Sequence, residues 1–189
     1  MVMHIAVFSD THGNTKCMRE AIQQKDPFDM LIHLGDGVGD GLSVSSEFGI
    51  PFRGVYGNED YAYRTQYSGE TLVNIYSWSF VLVHGHQMDI NPYHTDAEWQ
   101  KHLRKMTVWA KRRKAHVFLF GHTHTPLLEQ QDDVIVCNPG DMYLGAGTPP
   151  GFALIDAREE MLTLQIMQKG ETGEWDIVSE LERHRSIFS

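Results

Sequence analysis

Apolar runs in this chain are short, recur from end to end, and mostly stop at a polar cluster. The first, Val2 to Phe8, is nearly continuous and rich in β-branched residues, as a central strand covered on both faces should be. It ends in Ser9-Asp10-Thr11-His12-Gly13-Asn14. A helix is predicted next: Asn14 can cap it, and Met18, Ala21 and Ile22 form a one-sided stripe. Pro27 marks the break before a second strand, Met30 to Leu34, which ends in Gly35-Asp36. His33, inside that strand, reads as a core histidine rather than a ligand. A short third strand, Phe52 to Tyr56, ends in Gly57-Asn58-Glu59-Asp60.

Thr71 to Trp78 and Phe80 to Val83 read as an antiparallel pair, the second ending in His84-Gly85-His86. Thr95-Asp96-Ala97-Glu98 is a capping box, followed by the helical stripe Trp99, Leu103, Met106 and Ala110. Lys111-Arg112-Arg113-Lys114 closes that helix as a solvated last turn favoured by the helix dipole. His94 and His102 are read as surface positions. Another buried strand, His116 to Phe120, ends in Gly121-His122-Thr123-His124. Leu127-Leu128 and Val134 to Val136 flank a hairpin turn and lead to Asn138-Pro139-Gly140-Asp141. Phe152 to Ile155 and Met161 to Met167 add two strands; the second alternates Leu162, Leu164 and Ile166 with Thr163 and Gln165. Residues 170–189 are polar with isolated Trp175, Ile177 and Leu181, and read as a tail that packs on the domain or reaches a second copy. No repeat or linker interrupts the chain, so residues 1–189 are expected to form one domain.

The segment from Gly35 to Glu47 imitates two familiar loops and matches neither. Its glycines lack the spacing of a dinucleotide-binding G-x-G-x-x-G. Asp36, Asp40, Gly41 and Glu47 fall at EF-hand positions 1, 5, 6 and 12, but Val38 offers no oxygen at position 3 and the flank is a strand. Calcium is not expected there.

Composition changes the picture in three ways. A net charge of -9 argues against general nucleic-acid binding. Two cysteines, Cys17 and Cys137, make no disulfide framework and suit a reducing cytoplasm. No 18-residue apolar span and no basic leader with a cleavage site occur, so neither a membrane helix nor a signal peptide is expected. The 11 histidines are many for 189 residues, and several gather at strand ends.

In order, the strand-end signals are Asp10-x-His12, Gly35-Asp36, Gly57-Asn58, His84-Gly85-His86 and Gly121-His122-x-His124. Each is weak alone. Together they resemble the calcineurin-like metallophosphoesterase superfamily, and within it the small phosphodiesterases called YfcE-like, from Asp10 through Gly140. The resemblance implies an α/β fold, a four-layer αββα sandwich of two mixed β-sheets flanked by helices. It implies one metal held by Asp10, His12, Asp36 and His124, and another held by Asp36, Asn58, His84 and His122, with Asp36 bridging. A shared hydroxide would attack a phosphodiester, positioned through the metals by Asp36, Asn58 and His84. Asn14, and less directly His86, would contact the substrate phosphate. Imidazole, carboxylate and amide oxygen together suit two divalent ions, Mn first, with Fe, Zn, Ni or Co also acceptable; without Cys the set does not resemble a closed structural zinc site.

Two positions depart from the pattern. Many relatives carry His after Gly-Asn, a residue thought to protonate the leaving oxygen; here it is Glu59. Glu59 is expected to be a poor general acid, which favours diesters over alkyl monoesters, with His86 or Asp60 as substitutes. Asn138-Pro139-Gly140 is usually followed by Ser and here by Asp141, a carboxylate that disfavours highly charged substrates if it points inward. Two alternatives stand beside the small-phosphodiester hydrolase: a monoester phosphatase, and a scaffold like a retromer subunit of the same fold. The complete set of ligand-competent residues favours the enzyme. Specificity is expected in loops 61–70 and 87–98. Tyr76, Trp78 and the tail, read as exposed, point to a homo-oligomer, either dimer or tetramer.

Overall fold

The computed structural model describes residues 1–25, 27–143 and 147–185. Its six-stranded sheet begins with β1 (Met3–Phe8), β2 (Met30–His33) and β3 (Phe52–Gly54), which run parallel. On the other side of β1, three antiparallel strands complete it: β9 (Gly151–Ala157), β10 (Met161–Lys169) and β11 (Trp175–His184). The five-stranded sheet is ordered β4 (Glu70–Ile75), β5 (Trp78–Val83), β6 (Val117–Leu119), β8 (Val134–Asn138) and β7 (Leu127–Gln131). Within it, β5, β6 and β8 are parallel.

The sheets face each other across one apolar layer that includes Ile5, Val7, Ile32, Phe80, Leu82, Leu119, Ile155 and Leu164. Helices α1 (Thr15–Lys25) and α2 (Val38–Phe48) lie on the outer side of the first sheet, where Met18, Ile22 and Val44 meet Phe8 and Phe152. Helix α3 (Asp96–Arg112) covers the second sheet through Leu103, Met106 and Ala110 against Val81, Phe118 and Val136. The expected four layers are therefore present. The central strands are apolar on both faces because both faces are covered. Burial alone pushes the Cys137 thiol up to about 12, and Cys17 and Cys137 are both free.

Several elements differ from the sequence reading. Residues 38–48, to which the sequence reading assigned no element, are a helix. Gly39, Gly41 and three serines disguise it, because such residues are poor helix formers. Gly41 is required by packing: a Cβ there would lie 2.9 Å from both His33 Cβ and Phe52 Cε2. The helix also begins inside the EF-hand-like stretch, and Asp60 caps its start from another loop, accepting from Gly37 N and Val38 N at 2.9 and 3.1 Å. Much of the expected tail is β11, a ten-residue edge strand with Trp175 buried and Leu181 against the core. Its positions 186–189 lie outside the described residues.

Trp78 is fully buried, with its indole N–H donating to Arg158 O at 2.7 Å, so it no longer argues for an oligomer; Tyr76 is exposed as expected. His102 is buried too, its ring stacked 4.7 Å from His94. The basic run is partly paired: Lys111 contacts Asp132 and Asp133, and Arg113 contacts Glu70. No helix among the described residues is long and apolar enough to cross a membrane.

Trp78→Ala should destabilise the fold by about 3–5 kcal/mol, since it removes a large buried ring and leaves a cavity. Urea denaturation measures this; a loss below about 1 kcal/mol would show that the indole is not part of the core.

Candidate metal centre

Parallel strands bring their carboxyl ends to one edge, where ligands collect in open α/β sheets. The loops after β1, β2, β3, β5 and β6 all open there, and they carry Asp10 and His12, Asp36, Asn58, His84, and His122 and His124. Backbone hydrogen bonds stitch these loops together: Asp10 N to Gly35 O at 3.0 Å, His12 N to Asp36 O at 3.2 Å, and Gly121 N to His84 O at 2.8 Å. The loops from β2 and β3 meet so closely that a Cβ on Gly57 would lie 2.2 Å from Asp36 Oδ1. Asp10, His12, Asp36, His122 and His124 all have positive φ, between 44° and 71°. Non-glycine residues enter this region at a cost, and such positions concentrate at functional sites.

Two groups of donor atoms result. Asp10, His12 and His124 offer atoms that all lie within 4.8 Å of one another, and so do Asp36, His84 and His122. A third group, His12, Asp36 and Glu59, overlaps the first two. His124 Nε2 is 3.4 Å from both Asp10 Oδ1 and His12 Nε2. His84 Nε2 is 3.3 Å from Asp36 Oδ2 and 3.1 Å from Asn58 Oδ1. His84 Nδ1 donates to Leu34 O at 2.8 Å, so its Nε2 faces these oxygens as a lone pair when the ring is neutral. Lone pairs converging on one another repel unless a proton or cation lies between them.

The electrostatics agree. Asp10 Oδ1 is buried with no hydrogen-bond partner, whereas Oδ2 accepts from Ser9 Oγ and His122 N at 2.5 and 2.9 Å. Burial raises the Asp10 carboxyl above its ordinary value. For Asp36, burial opposes ionisation, but the hydrogen bond and charge of His84 outweigh it and hold the carboxyl at about 2. His84 moves the opposite way: burial lowers it, but the Asp36 hydrogen bond and the Asp10 and Asp36 charges outweigh burial and raise it. His122, lowered to about 4 by burial and then by His84, stays neutral and ligand-competent. An orphaned buried carboxylate oxygen among imidazole nitrogens and an amide oxygen fits divalent ions of the borderline to hard kind.

The remaining expected residues are less central. Asn14 precedes α1 as expected, but its Nδ2 donates to Met142 O at 2.6 Å. His86 packs 5.4 Å from the His84 ring, with its Nδ1 buried and unpartnered. Glu59 is 62% exposed, and its carboxylate lies 3.1 Å from His12 Nδ1. Asp141 does not face the mouth; it is buried, 2.6 Å from His124 Nδ1. His33 is the buried support expected of it: Nδ1 accepts from Gly35 N at 3.2 Å and Nε2 contacts Thr11 Oγ1 at 3.3 Å.

Three further residues support the site in roles not read from the sequence; Asp60, expected as a substitute acid, instead accepts from backbone N–H groups with both oxygens. Asp40 Oδ2 fastens the first loop by accepting from Thr11 Oγ1 and Gly13 N at 2.6 and 2.8 Å. Asp60 fastens the third, accepting from Gly57 N at 2.8 Å. Tyr143 stands edge-on to His12 and His124 at 5.4 and 6.3 Å.

A layered α/β protein with donors at the carboxyl edges of its sheets is the class that this geometry defines. The calcineurin-like phosphoesterase superfamily domain matches residues 3–160, and the chain belongs to that superfamily. It is 27% identical over 175 residues to a phosphodiesterase of Methanocaldococcus jannaschii, covering 84% of this chain and 95% of that protein. Among solved structures, Yfce, a phosphoesterase from E. coli, aligns with a TM-score of 0.64 at 18% identity, covering 95% of this chain and 98% of that one. A Vps29 single mutant from Entamoeba histolytica aligns at 0.74 with 16% identity, over 96% and 100%. These two likenesses are of fold. The family expected from the strand-end motifs is borne out.

His33 supplies a pH test. Burial, the largest influence, lowers it from 6.5 to about 4. On acidification the unfolded chain is therefore protonated first, and stability falls from pH 6.5 towards pH 4. The loss at pH 5 is about 2 kcal/mol. In metal-free protein, the stability advantage of wild type over His33→Phe should shrink by that amount between pH 7 and pH 5. An unchanged difference in urea midpoint energies would mean that His33 is not held neutral.

Proposed function

We propose that this chain is a two-metal phosphodiesterase acting on a small phosphodiester. The observation that carries this reading is the convergence of Asp10 Oδ1, which lacks any hydrogen-bond partner, with the His12, His84 and His124 nitrogens. Asp10, His12, Asp36 and His124 would hold one ion; Asp36, Asn58, His84 and His122 would hold the other. Asp36 is supported as the bridge by its place in groups that contain both His12 and His84. Manganese is the first expectation. When bound, such ions supply Lewis acidity and an activated water for in-line displacement at phosphorus.

The chain's own residues do the rest. The Leu34 carbonyl holds the His84 ring with Nε2 turned to Asp36 and Asn58. Asp36 is itself positioned by Glu59 N, which donates to Oδ1 at 2.8 Å. His86 and Asn14 border the site and are the residues available to a substrate oxygen. Pro92 and Asp96 of loop 87–98 line a hollow of about 410 Å³ with Trp99, Gln100, Leu103, Thr125, Leu127 and Glu129, Thr125 following His124 in the chain. Pro92, Trp99, Leu103 and Leu127 offer apolar surface to an organic substituent, and the carboxylates Asp96 and Glu129 disfavour further negative charge, which supports a diester over highly charged substrates. The free, buried thiols suit a reducing compartment, and we read the protein as cytoplasmic. The scaffold alternative shares the fold; the full donor set favours catalysis over it.

Hydrolysis of bis-p-nitrophenyl phosphate should disappear on chelation, return with Mn, and fall about 100-fold or more in Asp36→Asn, since changes even behind a ligand cost 10–100-fold. Metal binding without turnover of this diester or of p-nitrophenyl phosphate would move the reading to a scaffold.

Glu59→His tests the diester preference separately. Restoring an imidazole should raise alkyl monoester turnover relative to diester turnover. If the kcat/KM ratio of the two substrates stays where it was, the missing acid does not set the preference.

A further inference from the structure

We propose that Asp141 is a positioning residue that fixes His124 for metal binding, a role that rests on the two-metal reading. His124 and Asp141 lie 17 positions apart in sequence and meet at 2.6 Å through Nδ1 and Oδ2. Asp141 is 1% exposed. A buried carboxylate is costly unless it is paired and hydrogen-bonded. Among the described residues its ion-pair partner is His124, with no lysine or arginine in reach. Among the described residues, its other oxygen has one long contact, from Thr148 Oγ1 at 3.4 Å. The backbone around it is anchored independently, with Gly151 N donating to Asp141 O at 2.7 Å. The loop thus has its own fastening, and the side chain is aimed at the imidazole.

The consequence is geometric. A carboxylate at Nδ1 accepts a hydrogen bond from Nδ1–H, so the neutral ring keeps its proton there and Nε2 is the lone pair. That lone pair lies 3.4 Å from Asp10 Oδ1, the oxygen without another partner. Orienting partners of this kind fix the tautomer of a metal-binding histidine and raise its basicity. Glu59 makes a similar contact to His12, but it is 62% exposed, so water competes with it. Behind His84 stands only a neutral carbonyl, Leu34 O. Among the described residues, Asp141 is therefore the one buried anion behind a candidate ligand histidine, and its removal should be felt at one metal position and not the other.

The test measures binding by the full chain, stripped of metal and titrated with Mn by calorimetry. In Asp141→Asn and Asp141→Ser, one binding step should weaken by roughly 10–100-fold while the other stays near wild type. The melting temperature of the metal-free variants should stay at or above that of wild type, because a buried charge has been removed. In the Zn-loaded wild type, nitrogen-15 NMR should show His124 protonated at Nδ1 alone. Binding steps unchanged in both variants, or His124 protonated at Nε2, would overturn the proposal. So would a lower melting temperature with unchanged binding, which would make Asp141 a purely structural carboxylate. The NMR reading needs no variant and stands even if neither one folds. Wild type that binds no metal at all would instead sink the two-metal reading beneath it.

Discussion

The arrangement at the carboxyl edge depends on one requirement: the charge and lone pairs gathered around Asp10 must be compensated. One oxygen of that buried carboxylate has two donors and the other has none. Three histidine nitrogens lie within 4.0 Å of the orphan oxygen. A protein rarely leaves such an atom without a partner. The Asp36 hydrogen bond and the Asp10 and Asp36 charges raise His84 and so favour a proton beside the cluster, and divalent cations held as proposed would compensate it.

Holding that cluster has structural consequences throughout the loops. Five donor residues sit at positive φ, at a cost on the order of 1–3 kcal/mol each. Gly57 lets two loops approach within a distance no side chain would allow. The shared core between the sheets offsets these costs, and Asp40 and Asp60 fasten the loops from the side. The apparent calcium-binding pattern is explained by the same need: one of its carboxylates, Asp36, belongs to the donor set, and another, Asp40, binds the neighbouring loop.

The donor set is not symmetric. His84 is backed by a backbone carbonyl, His12 by an exposed carboxylate and His124 by a buried one. Chemically identical side chains thus acquire different basicity from what stands behind them. A hollow of about 810 Å³ along the outer face of α3 is lined by α3 side chains and Arg113, none of them in the donor set.

By itself, the sequence determined which residue types end each strand and which strands are covered on both faces, because apolar period and strand-end polarity are local properties. That was enough for the layers, the capping box of α3 and the family. It did not reveal α2, because the glycine that lowers its propensity is required by His33 and Phe52, on strands outside the helix. It misread Trp78, which is covered by Arg158 from the other sheet, and His102, which packs on His94. It named Asp141 without its partner. Only the tertiary structure decided which carboxylate faces the mouth and which stands behind a histidine, since that depends on how loops from different strands meet at one edge.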